Sequence, residues 1–81
     1  ENLIQLKSLN LRQCQLTDVK GLEKLTQLTW LSLALNQLTD VKGLEKLTKL
    51  THLNLGGNPA LTKAQIDELK KAFPKCRIHW P

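Results

Sequence analysis

The feature that most constrains this chain is a repeat. LKSLNLRQCQLTDVKGLEKLTQ begins at Leu6, LTWLSLALNQLTDVKGLEKLTK follows at Leu28, and LTHLNLGGN opens a third copy at Leu50, a period of 22 residues. A fixed period of this size means one small structural unit made repeatedly, and a unit too small to bury its own apolar face must bury it against its neighbours. Stacking answers a real shortage. The chain has 81 residues, only Trp30, Phe73 and Trp80 are aromatic, and chains this short rarely bury enough surface without some added device.

Each unit carries the order L-x-x-L-x-L-x-x-(Asn or Cys)-x-L, as Leu6, Leu9, Leu11, Cys14, Leu16 and then Leu28, Leu31, Leu33, Asn36, Leu38. Alternation in the x-L-x-L stretch sends Leu31 and Leu33 to one side and Trp30, Ser32 and Ala34 to the other, which predicts one short strand per unit. Asn36 and Asn58 fall where the chain leaves the strand, and an amide there can satisfy buried backbone groups of adjacent turns; Cys14 is expected to substitute as a small buried group. The return path LTDVKGLEKLT places Leu38, Val41, Leu44 and Leu47 three apart, a spacing that suits a tight helical or 3₁₀ turn.

The ends differ. After Asn58 the pattern gains a residue, Thr62-Lys63-Ala64-Gln65 has capping-box spacing, and Ile66, Leu69 and Phe73 make an apolar stripe that Pro74 closes. This predicts a cap helix over about 63–73 and, from Phe73-x-x-Cys76-x-Ile78, a terminal strand over about 75–79. The chain reads as one domain, 1–81, with repeats 6–27, 28–49 and 50–72. At the start, Leu3, Ile4 and Leu6 match the tail of a preceding unit, so no N-terminal cap is expected. That leaves two expectations: a piece cut from a longer repeat protein, or two copies meeting through the uncapped N-terminal strand.

The repeat order resembles the leucine-rich repeat family, and LTDVKGLEKLTQLTWLSLALNQ is similar to its short 22-residue class, seen in bacterial internalins and in a regulatory subunit of protein phosphatase. The resemblance covers about residues 3–58, and NPALTKAQIDELKKAFPKCRI resembles the helical cap of bacterial members. It implies an α/β solenoid, with parallel strands on a concave face, short 3₁₀ or helical turns behind, a C-terminal capping helix and a terminal strand. It also implies a non-enzymatic module that binds another protein on its strand face. Extracellular animal members carry caps with several disulfide-linked cysteines, so the lone Cys76 in this cap leans towards a cytoplasmic or bacterial setting; the compartment is otherwise open.

The first two units are identical at 15 of 22 positions, and five of the seven differences fall on the outward strand face or its edge. Thr17, Asp18, Lys20, Glu23 and Lys24 recur unchanged on the back as Thr39, Asp40, Lys42, Glu45 and Lys46. Solvent tolerance alone would scatter changes over both surfaces; recent duplication or consensus design is the alternative. Aligned outward columns read Ser8, Trp30, His52, Lys75, then Asn10, Ser32, Asn54, Arg77, then Arg12, Ala34, Gly56, His79. The expected partner-binding residues are Trp30, Ser32, His52, Asn54, Lys75, Arg77 and Arg12, with Trp30 as the anchor and Gly56-Gly57 a bare patch or a turn.

Other chemistry is set aside. Cys76 and His79 have metal-pair spacing, but positions i and i+3 of a strand face opposite ways, and zinc wants three or four ligands, so no metal is expected. Cys14 lies three strands from Cys76, about 14 Å at strand spacing and beyond disulfide reach, so both are expected as buried free thiols. No Gly-x-x-x-x-Gly-Lys loop, nucleophile elbow or strand-face carboxylate suggests a catalytic residue or cofactor site. No apolar run approaches the roughly 18 residues of a membrane span, and ENLIQLKSLN lacks signal-peptide character. The net charge of +5 raises nucleic acid as a partner, through a basic cap at Lys63, Lys70, Lys71, Lys75 and Arg77, but no continuous basic track with stacking aromatics is present. The competing reading is a structural C-terminal fragment or engineered consensus scaffold without a ligand.

Overall fold

Four strands of three residues each lie side by side. The computed structural model describes residues 5–81, so the expectation placed on Leu3 and Ile4 lies outside the described residues. The strands are β1 (Ser8–Asn10), β2 (Trp30–Ser32), β3 (His52–Asn54) and β4 (Arg77–His79), all parallel and in sequence order. Two 3₁₀ turns, Leu22–Lys24 and Leu44–Lys46, return the chain behind the sheet, and helix α1, Lys63–Ala72, takes the place of a third. This is the solenoid expected from the repeat.

The core is the stack of leucines between coils. Leu28, Leu31, Leu33, Leu38, Leu44 and Leu47 of the second coil are fully buried, with coils on both sides. Leu6, Leu9, Leu11, Leu16, Leu22 and Leu25 of the first are only partly buried, having a described neighbour on one side. Each fully buried leucine contributes about 1.5–3 kcal/mol, so the second coil holds a large share of the stabilisation. On the far side α1 closes the stack with Ile66, Leu69 and Phe73. The helix starts at a capping box: Thr62 Oγ1 accepts from Gln65 N–H at 3.2 Å, and Gln65 Oε1 accepts from Thr62 N–H at 2.9 Å. Gln65 Nε2 also donates to Thr39 O at 3.1 Å, tying the cap to the second coil.

Successive coils are joined by buried amides. Asn36 Oδ1 accepts from the N–H groups of Cys14 and Leu16 at 2.9 and 3.0 Å, while its Nδ2 donates to Leu11 O at 2.9 Å and Leu33 O at 3.0 Å. Asn58 repeats the arrangement one coil later, accepting from Leu38 N–H at 3.1 Å and donating to Leu33 O and Leu55 O at 3.0 Å. Each amide thus bonds its own coil and the one before it. Cys14 occupies the equivalent position in the first described coil, where no earlier coil is described for it to bond, and contrary to expectation it is exposed. Its Sγ reaches only Arg12 O, at 3.6 Å.

The register of β4 also corrects the sequence reading. Ile78 pairs with Leu53, so the interval from β3 to β4 is 25 residues, against 22 between earlier strands. The expected alignment used Phe73 and Cys76 as the first two inward positions. Instead Phe73 is buried at the end of α1, Cys76 N–H closes a turn onto Phe73 O at 3.0 Å, and the inward pair is Ile78 and Trp80, both packed on the core. A ten-residue helix is longer than the turn it replaces, and the strand begins later.

Unfolding in urea provides a check. Asn36→Ala removes the partner of the part-buried Cys14 and Leu16 N–H groups and of Leu11 O and should cost about 2–4 kcal/mol, and Leu31→Ala should cost about 2–5 kcal/mol through lost burial and a cavity. Cys14→Ala should change stability by less than about 0.5 kcal/mol, as is usual for an exposed site. Equal effects of the asparagine and cysteine substitutions would contradict the bonding described.

Candidate functional site

Parallel in-register pairing sets the outward side chains in rows across the sheet. One row runs Ser8, Trp30, His52, Arg77; the next runs Asn10, Ser32, Asn54, His79. Arg77 therefore pairs in register with His52 rather than Asn54, and His79 with Asn54 rather than Gly56, although its ring leans over Gly56. The expected place of Lys75 opposite His52 is wrong. Lys75 is exposed in the turn ahead of β4, outside the strand face.

Trp30 is 40% exposed, although Leu28 and Leu31 near it in the chain are shut in the core. Together with His52, Asn54, Arg77 and His79 it lines an open hollow of about 390 Å³ across β2–β4. Arg12 is exposed at the far end, one outward position beyond β1. Ser32 points outward but is only 4% exposed, a short side chain in a row between Asn10 and Asn54. It offers little surface. The structure thus brings together Trp30, His52, Asn54 and Arg77, adds His79, and separates Lys75 from them.

The bare patch expected at Gly56-Gly57 is filled from within. A Cβ on Gly56 would lie 3.0 Å from His79 Cδ2, so the imidazole rests against the glycine backbone. Gly57 has φ +73°, and a Cβ there would run into Leu35 Cδ2. Leu35 itself has φ 59° and is 41% exposed, lying over Gly57 at the corner after β2. Gly57 is therefore required by turn geometry and by Leu35, while Gly56 gives the His79 ring room to lie close.

Hydrogen bonding gives the face a polarity. Asn10 Oδ1 accepts from Arg12 N–H at 3.0 Å and Asn54 Oδ1 from Gly56 N–H at 2.9 Å, which uses one lone pair of each amide oxygen in a local turn. Thr51 Oγ1 donates to Thr29 O at 3.0 Å and lies 2.9 Å from His52 Nδ1. Both ion pairs among the described residues are on α1, Lys63–Asp67 and Lys71–Glu68, and neither involves Arg77.

The back is built differently. Asp18 and Asp40 accept from the N–H groups of Lys20 and Lys42, and Glu23 and Glu45 from those of Gly21 and Gly43, at 2.9–3.0 Å. Gly21 and Gly43 have φ 89° and 103°, a conformation that favours glycine. The back is thus constant between repeats because it forms the turn, and its constancy is no measure of function at the front. Sequence reasoning missed a hollow of about 560 Å³ between the second coil and α1, floored by Val41 and Leu69 and edged by Asp40, Lys42, Glu45 and Glu68. The added residue after Asn58 and the capping box were its available signals, since they replace a flat turn with a thicker helix.

These coils and their leucine ladder define a parallel-strand solenoid. The family profile for leucine-rich repeats in two copies matches residues 26–71, and that for a single leucine-rich repeat matches residues 4–26. The chain belongs to the leucine-rich repeat family. No curated protein matches it.

Cys76 is half-buried, and burial pushes its thiol pKa up, whereas Cys14 is exposed. A raised thiol pKa means less of the reactive thiolate at neutral pH. Ellman's reagent at about pH 7.5 should therefore modify Cys14 first, with Cys76 catching up as pH rises or when urea unfolds the chain. Faster labelling of Cys76 in the folded protein would contradict its placement.

Proposed function

We propose that this chain is a non-enzymatic protein-binding module whose partner docks on the strand face across β2–β4, with Trp30 as the anchor. Leucine-rich repeat domains generally bind other proteins. The observation that carries the reading is Trp30, a large side chain 40% exposed in the middle of the sheet, beside His52 and in the same row as Arg77. Tryptophan and arginine are the residue types most enriched where binding energy concentrates. Anchored on a strand whose own leucine is buried, Trp30 loses little further freedom on docking. The 22-residue period, the 3₁₀ returns and the helical cap support placing the chain in the short internalin-like class. The partly open leucines of the first coil support a separate proposal, self-association of two copies through β1.

For docking, ligands selected from a random peptide display library on the wild-type chain provide the test. Trp30→Ala should cost them about 2 kcal/mol or more of affinity while changing unfolding stability by under about 1 kcal/mol. A loss of several kcal/mol in stability would make Trp30 scaffold instead. Sedimentation equilibrium reads the second proposal: a dimer dispersed by Leu9→Lys supports it, and a monomer at every concentration removes it.

A further inference from the structure

We propose that the segment held on the strand face is acidic: a polypeptide stretch whose Asp or Glu carboxylates meet Arg77 and the donors beside it, with an apolar side chain against Trp30. The inference rests on the docking reading above and adds the chemistry of the occupant.

The first argument is the placement of charge. Every side-chain carboxylate among the described residues belongs to a back turn (Asp18, Glu23, Asp40, Glu45) or to α1 (Asp67, Glu68). None is on the strand face, where Arg12 and Arg77 stand with His52 and His79. The turns require their carboxylates as acceptors for backbone N–H groups, so the acidic groups are held behind the sheet by the fold itself. On the back each acid has lysines near it in sequence; on the front the cations have no acidic counterpart.

Hydrogen bonding gives a second, independent argument. The amide oxygens of Asn10 and Asn54 already accept backbone protons, and Ser32 is buried. What the hollow offers in excess is donors, namely the Trp30 indole N–H, the Asn54 amide N–H and the five N–H groups of the Arg77 guanidinium, against only the imidazole nitrogens of His52 and His79 and the second lone pair of Asn54 Oδ1 as acceptors. A donor-rich, acceptor-poor face is complementary to a ligand that only accepts, and the carboxylate is the common polypeptide group of that kind.

A nucleic acid is acidic too, but it needs a track of cations matched to successive phosphates. Two arginines lie on this face, at opposite ends of the sheet, and Lys63 and Lys71 of α1 are engaged with Asp67 and Glu68. The arrangement fits a few clustered carboxylates better.

The test is an NMR titration of the 81-residue chain with three synthetic peptides of equal length and identical leucine positions, whose remaining residues are Glu and Asp, Ser and Gln, or Lys. A thymidine oligonucleotide is titrated alongside. The acidic peptide should move the Trp30 indole, Asn54 amide and Arg77 guanidinium resonances and bind more tightly than the other probes, with affinity falling as salt rises. Arg77→Gln should weaken it by about three- to fivefold, the scale of a solvent-accessible ion pair, with unfolding unchanged, and Lys75→Gln should have less effect. Equal binding of the neutral peptide at this face would overturn the acidic assignment and leave the docking reading standing. If no probe moved any resonance of the face, both would fail. Tighter binding of the oligonucleotide there would transfer the site to nucleic acid, and shifts confined to Lys70 and Lys71 would also overturn the proposal.

Discussion

Two buried side-chain amides bind the coils into one body. A 22-residue coil cannot enclose its own leucines, and turning so sharply at the strand end leaves backbone N–H and C=O groups facing the interior without partners in their own coil. Asn36 and Asn58 supply those partners while crossing to the preceding coil, and no buried side-chain nitrogen or oxygen among the described residues is left unbonded. The leucine layers supply most of the attraction between coils. The amides set the register at which those layers meet, and the in-register parallel sheet goes with it.

The returns behind the sheet have their own demand, and it shapes the front. A glycine at positive φ opens each 3₁₀ turn, with an Asp and a Glu accepting the adjacent backbone protons. Acidic residues are thereby committed to the back. The strand face, which contributes only its backbone to the stack, is free to vary and carries Trp30, His52 and Arg77 without a balancing carboxylate. An asymmetry of charge between front and back thus arises from how the turns are made.

Much of this was legible from residues because the period is strict. Leu31 and Leu33 inward, Trp30 outward, the 3₁₀ returns, the amide position and the capping box at Thr62 all follow from spacing alone, and all appear in the structure. Reading failed where the period breaks. The β4 alignment rested on Cys76 and Ile78, whereas Ile78 and Trp80 have the same alternation and are the pair that faces inward. Spacing also says nothing of what a neighbouring coil covers: Cys14 is exposed, Ser32 is shut between asparagines, and the two glycines are occupied by His79 and Leu35. The contrast between a variable front and a constant back was real, but turn geometry accounts for the constant half.

Native-state hydrogen exchange addresses the central claim most directly. The Leu38 amide, bonded to Asn58 Oδ1, and the Leu33 amide, bonded to Asn54 O in the next strand, belong to different parts of one coil but depend on the same neighbour. If inter-coil amides and strands hold the stack as one unit, both protons exchange only through global unfolding, with the same free energy and the same dependence on urea. Exchange of Leu38 at the rate of an exposed loop, while Leu33 stays protected, would contradict the account.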